Sequence, residues 1–176
     1  GKLPASFERR WEDNPTLRSY YPAKNEQRVP YSEGVFVVYR HFDRSETKPL
    51  FAFGYGLSYT TFGYDELSVS PQTGTLNQPV TVSFDVKNTG HREGAEVAEL
   101  YVGNAAASVP RPVKELKGFA KIRLRPGESR RVTLKLDRRA FSFYDVKKGD
   151  WTAEAGEFTI LVGGSSDNIQ LRDKFT

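Results

Sequence analysis

The chain has 176 residues, 38% apolar and 27% charged, with a formal net charge of +4, which is the composition of an ordinary globular protein. With no cysteine at all, disulfides, thiolate nucleophiles and Cys-ligated zinc or iron–sulfur centres are excluded. His41 and His91 are the only histidines, too few for a multi-histidine metal site. No apolar run approaches the roughly 20 residues that span a bilayer, and no signal-peptide core opens the chain. Methionine is also absent and residue 1 is Gly, so a piece of a longer protein is expected; removal of an initiator Met before Gly1 is the alternative.

Residues 1–62 are rich in aromatics and proline and show little sustained periodicity. Phe7 and Trp11 stand four apart after Pro4, enough for about one helical turn before Asp13-Asn14-Pro15 ends it. Tyr20-Tyr21-Pro22 and Val29-Pro30-Tyr31 read as extended loop. Gly34-Val35-Phe36-Val37-Val38-Tyr39 is an apolar run of strand length flanked by charge. The aromatic stretch from Pro49 to Tyr59 needs a partner surface, because it cannot build a core by itself. Residues 1–62 are therefore not expected to fold alone.

From Tyr64 onward the period is two. Val80, Val82, Phe84 and Val86 alternate with Thr81, Ser83, Asp85 and Lys87, a strand with one wet face, which Asn88-Thr89-Gly90 ends with turn chemistry. Ala95 to Val102 is a second strand, apolar on both faces apart from Glu96 and Glu99. Ile122 and Leu124 alternate with basic residues until the Pro126-Gly127 turn. Val132, Leu134 and Leu136 follow, then Phe158, Ile160 and Val162. Leu67 with Val69, Phe141 with Phe143, and Ile169 with Leu171 supply shorter pieces. Seven or eight short strands without an intervening amphipathic helix predict an all-β, immunoglobulin or fibronectin type III-like antiparallel β-sandwich.

Chemistry-bearing motifs are sparse. Gly54-Tyr55-Gly56-Leu57-Ser58-Tyr59 begins like a dinucleotide fingerprint, but Tyr59 takes the third-glycine slot and no helix follows, so it reads as a structural linker. Acid/base hydrolysis needs two carboxylates at a fixed separation. Glu93, Glu96 and Glu99 are close in sequence, yet 96 and 99 fall on opposite faces of a strand and cannot converge without partners from elsewhere. Glu33 is the best single carboxylate for a buried or cleft role, with a salt bridge to Arg40 or another basic group the plainer expectation. Residues 111–139 carry 11 Lys/Arg against three Asp/Glu. These mostly alternate along strands, as a solvated sheet face would, without the interleaved aromatics that single-strand stacking uses. No nucleic-acid or membrane partner, no metal and no cofactor is expected.

Three blocks then become familiar: Glu96-Val97-Ala98-Glu99-Leu100-Tyr101-Val102, Val109-Pro110-Arg111-Pro112-Val113-Lys114-Glu115-Leu116-Lys117-Gly118-Phe119, and Leu124-Arg125-Pro126-Gly127-Glu128-Ser129. Together they resemble the fibronectin type III-like domain at the C-terminus of glycoside hydrolase family 3 β-glucosidases. Gly156 to Ile160 and Val162 to Ser166 fit the same pattern. Tyr31 to Asp43 and Phe51 to Thr60 resemble the segment joining that domain to a preceding α/β-sandwich domain, whose closing stretch Gly1-Lys2-Leu3-Pro4 resembles. Val38 stands where a glycine is usual and Ala52 where a proline is usual, both expected to be packing changes.

The resemblance implies a tail of the α/β domain plus linker over 1–62 and the sandwich over 63–176. It also implies that the catalytic pair of a retaining glycosidase, an aspartate nucleophile on a (β/α)8 barrel and a glutamate acid/base on the α/β domain, lies outside these residues. No catalytic residue carries over. The expected partners are the N-terminal catalytic portion of the same enzyme and, through it, a glucoside, in the periplasm or outside the cell. Two other classes remain open: a carbohydrate-binding module, for which Trp151 and Tyr144 are the candidate rings although core or corner positions suit both, and an electrostatic adhesion module built on 111–139.

Overall fold

The computed structural model describes residues 1–21 and 27–176; of the extended-loop reading at Tyr20-Tyr21-Pro22, Pro22 lies outside them. Two antiparallel sheets face each other. One has the order β1 (Phe62–Ser70), β2 (Val80–Asn88), β5 (Ser129–Leu136); the other has the order β4 (Glu115–Leu124), β3 (Gly94–Gly103), β8 (Phe158–Ser165), β9 (Asn168–Phe175). A hairpin of β6 (Phe143–Asp145) and β7 (Asp150–Thr152) stands beside them. The expected β-sandwich is present.

The alternation read along β2 is the cause of the inter-sheet core. Val80, Val82, Phe84 and Val86 are fully buried, meeting Ala98, Leu100 and Val102 of β3 and Ile160 and Val162 of β8, and each large side chain so buried contributes about 1.5–3 kcal/mol. The other face of β2 stays wet, crossed by a Ser83–Thr133 hydroxyl pair at 3.0 Å and an Asp85–Arg131 ion pair at 3.2 Å. Between β4 and β5 the chain reverses at Pro126-Gly127, where Gly127 has φ +76°, a conformation open to glycine at little cost.

Three local expectations are corrected. Gly34–Tyr39 is not a strand: the chain turns at Ser32–Val35 and enters helix α2 (Tyr39–Ser45), after the helical turn α1 (Leu17–Tyr20) that ends at the Tyr20 read as loop. Phe141 does not share a strand with Phe143. It closes helix α3 (Arg138–Phe141), whose first turn is capped by the Asp137 carboxylate accepting the Ala140 N–H, and its ring packs on Phe158 and Phe175 at 5.0 and 5.2 Å. The turn expected after Phe7 forms as a single 3-10 turn at Trp11–Asp13.

Val38 is more than a packing change. It sits at φ +53°, ψ −131°, immediately before α2, in a region that a β-branched residue enters only under strain. Val38→Gly is therefore expected to stabilise the chain by about 1 kcal/mol, read as a higher urea midpoint with unchanged slope; a lower midpoint would show the valine side chain outweighing its backbone.

Candidate functional site

The centre of the four-stranded sheet is buried on both faces. On its outer face Tyr101 of β3 and Leu161 of β8 are covered by Tyr39 of α2, with Phe53 against Tyr39; the ring centroids of Tyr39 lie 5.8 Å from Tyr101 and 5.1 Å from Phe53. The described residues before β1, 1–21 and 27–61, thus include an arm laid on the sheet through Tyr39 and Phe53. Its two ends are zipped together by Leu3 N–H to Tyr55 O at 2.8 Å and Phe7 N–H to Phe51 O at 2.8 Å. Ser166 N–H donates to Phe53 O at 2.9 Å, fastening the arm to the end of β8.

Polar contacts fix the arm's position. The Tyr39 hydroxyl accepts the Leu116 N–H at 2.9 Å, beside the bulge that separates the Leu100–Gly118 and Tyr101–Leu116 pairs. Lys114, buried, reaches Asp43 of α2 at 2.6 Å. Burial pushes the Asp43 carboxyl up against the opposing pull of that lysine. Such pairs set geometry more than stability, since desolvation offsets much of the attraction.

Glu96 and Glu99 meet the same arm from opposite faces of β3, as their spacing requires. Glu96 accepts Lys2 Nζ at 2.9 Å and the Tyr64 hydroxyl at 3.0 Å, while the ammonium also donates to Gly164 O at 2.7 Å. Glu99 accepts the Tyr101 hydroxyl at 2.5 Å and lies under Gly54. Burial, foremost, lifts its carboxyl to about 7, against the Tyr101 hydrogen bond and the Lys2 charge. These two carboxylates serve as anchors.

Gly54 makes the close approach possible. Its φ is +80°, and a Cβ there would stand 2.5 Å from Glu99 Oε1. Gly54→Ala is expected to cost about 1–3 kcal/mol and to speed hydrogen exchange of its own amide, which is bonded to Leu3 O; unchanged exchange would show the arm is held elsewhere.

The other sequence candidates separate. Arg40 does not pair with Glu33: it reaches Glu115 of β4 at 3.4 Å. The helix at 39–45 is the reason, since it sends Arg40 toward the sandwich and leaves Glu33 beside Phe36, His41 and Arg44, its Oε2 without a hydrogen-bond partner among the described residues. Glu93 is an exposed partner of Arg123 at 2.7 Å, and His91 is exposed. Much of the basic run is neutralised locally, by Glu93–Arg123, Glu128–Arg130, Asp85–Arg131 and Asp43–Lys114. Among the described residues no three His, Asp or Glu side chains gather closely enough to hold a metal ion, and no helix is long and apolar enough to cross a membrane.

Sequence reasoning missed Lys2, Asp43 and Lys114. A signal existed: a strand apolar on both faces with carboxylates in it demands a cover that brings cations. Trp151 and Tyr144 are neither core nor corner residues; they are 40% and 50% exposed on the β6–β7 hairpin.

Residues 96–166 match the fibronectin type III-like domain family. Thermostable β-glucosidase B of Acetivibrio thermocellus is 46% identical over 173 residues, covering 98% of this chain and 23% of that protein. The crystal structure of a Bifidobacterium adolescentis GH3 β-glucosidase superposes with a TM-score of 0.92 at 39% identity, over 100% of this chain and 25% of that one. β-Glucosidase 3B from Thermotoga neapolitana, solved in complex with glucose, gives 0.89 at 39% identity, over 99% and 24%. The chain spans about a quarter of the length of these relatives. Sequence and fold together match this chain to a part of the GH3 β-glucosidases, with a fibronectin type III-like domain at residues 96–166.

Proposed function

We propose that this chain is the non-catalytic, bracing C-terminal part of a retaining β-glucosidase that hydrolyses β-glucosides or short oligosaccharides, with the catalytic carboxylates in the remaining three-quarters that its relatives possess. The observation that carries this reading is the mismatch of coverage: nearly all of this chain aligns at 39–46% identity, yet with only 23–25% of each relative. Retaining hydrolysis needs two carboxyls about 5–5.5 Å apart across the sugar. Glu96 and Glu99, the buried acids among the described residues, are instead tied to Lys2, Tyr64 and Tyr101.

The arm is the part that would meet the rest of the enzyme. Tyr59 is 93% exposed and Leu57 81%, an apolar surface next to a sheet already covered by the same arm, which suits contact with a further domain. Purified chain incubated with an aryl β-glucoside is expected to release no aryl alcohol above the buffer rate. Turnover that survives repurification would overturn the division of labour.

A further inference from the structure

A cavity of about 570 Å3 opens where the Val109–Pro112 loop, β4, α3 and the β6–β7 hairpin converge, a size suited to a small molecule, and the bracing role makes no use of it. Glu115 lies in its wall and is contacted by three cations: Arg111 at 2.9 Å, Arg40 at 3.4 Å and Lys117 at 3.5 Å. Among the described residues, one carboxylate against these three cations leaves an excess of two positive charges, and the side chains of Arg111, Lys117 and Arg40 are only 6%, 16% and 29% exposed. Arg111 is held in place by donating to the carbonyls of Phe141 and Ser142 at 3.1 and 3.4 Å.

Asp137, the second acid in the wall, is committed to its helix cap, and Arg139 adds a fourth cation. Partly buried charge of one sign is costly until an anion balances it. Consistent with this, burial first, then repulsion from Arg111 and Arg40, lower the Lys117 ammonium against the attraction of Glu115.

The same cavity has an aromatic side. Tyr144 and Trp151 pack edge to face at 5.8 Å, and Arg139 lies over the Trp151 ring at 3.6 Å. An exposed tyrosine ring beside unmatched cations suits a ligand with an apolar ring face and an acidic substituent. We propose that this cavity binds an anionic sugar, a monosaccharide-sized ligand bearing a carboxylate or a phosphate, with its acidic group against Arg40 and Lys117 and its pyranose face against Tyr144.

The test is titration of the 176-residue chain at low salt with glucuronate, glucose 6-phosphate, glucose and inorganic phosphate, followed by calorimetry or side-chain NMR. At least one of the two acidic sugars is expected to bind at least about tenfold more tightly than glucose, and which one does distinguishes carboxylate from phosphate recognition. Lys117→Gln should weaken that binding about tenfold, and Glu115→Gln, which removes the competing carboxylate, should tighten it by about threefold or more. Tyr144→Ala should weaken the acidic sugar and leave inorganic phosphate unchanged. Circular dichroism establishes that each variant is folded; if Glu115→Gln is not, the Lys117 and Tyr144 variants decide. Absence of binding by both acidic sugars, glucose binding as tightly as they do, or affinities unmoved in Lys117→Gln would overturn the proposal.

Discussion

Asn88→Ala is expected to lower the stability of this chain by about 3–5 kcal/mol. Asn88 is fully buried at the end of β2. Its Oδ1 accepts the Thr60 hydroxyl at 2.6 Å and the Gly90 N–H at 3.0 Å, and its Nδ2 donates to Arg92 O at 2.7 Å and Leu124 O at 3.0 Å. One amide therefore joins the arm's last residues, the β2–β3 turn and the end of β4. Alanine would leave a buried carbonyl at Leu124 and several other groups unpaired, each costing about 1–3 kcal/mol before any water enters. Asn88→Asp is a stricter control: it keeps the acceptor and turns the donor toward two carbonyls as a second acceptor, so it should be no better than alanine. Thr60→Val removes one bond alone and should cost about 1 kcal/mol. Urea unfolding at neutral pH measures all three. A loss under about 1 kcal/mol for Asn88→Ala would mean the turn holds its shape without the amide.

How far the sequence was legible follows from which partner each segment has. β2 and β5 face the core on one side and water on the other, so their alternation reports burial directly. β3 and β8 are covered on both sides, and there alternation disappears; Tyr101 and Leu161 are buried, as Leu100 and Val162 are on the other face. The sequence of β3 says that a cover exists without saying what it is, because the cover comes from residues 39 and 53. Gly34–Tyr39 misled because apolarity alone cannot tell a strand from a segment that enters a helix, and the reversal at Val38 is a backbone feature that a valine conceals. Proximity in sequence suggests Glu33 as a partner for Arg40 of α2, whereas its partner Glu115 lies 75 positions further on, at the start of β4. The exposed Trp151 could not be told from a core tryptophan because a three-residue strand is too short to show a period.

The junction between arm and sheet should lose strength as the pH rises. Burial holds the Glu99 carboxyl to about 7, against an ordinary value of 4.5. Below about pH 4.5 the folded and unfolded chains both carry the proton and Glu99 contributes no pH dependence. Between about 4.5 and about 7 the unfolded chain has released a proton that the folded chain keeps, so stability falls with rising pH, and it levels off once the folded form has ionised too. The accumulated loss is about 2–3 kcal/mol. Glu99→Gln keeps an acceptor for the Tyr101 hydroxyl and cannot ionise. Its stability relative to wild type is therefore expected to grow by about 2–3 kcal/mol between pH 4.5 and pH 8, whatever the offset at the acid end. Urea midpoints across that range test it. Parallel curves would show that the pull of Lys2, whose charge favours the carboxylate from the far side of β3, cancels the effect of burial, whereas a gap opening toward acid would reverse the sign and place the dominant interaction in the attraction to Lys2. Since Gly54 rests on this carboxyl, the alkaline loss falls on the contact that seats the arm.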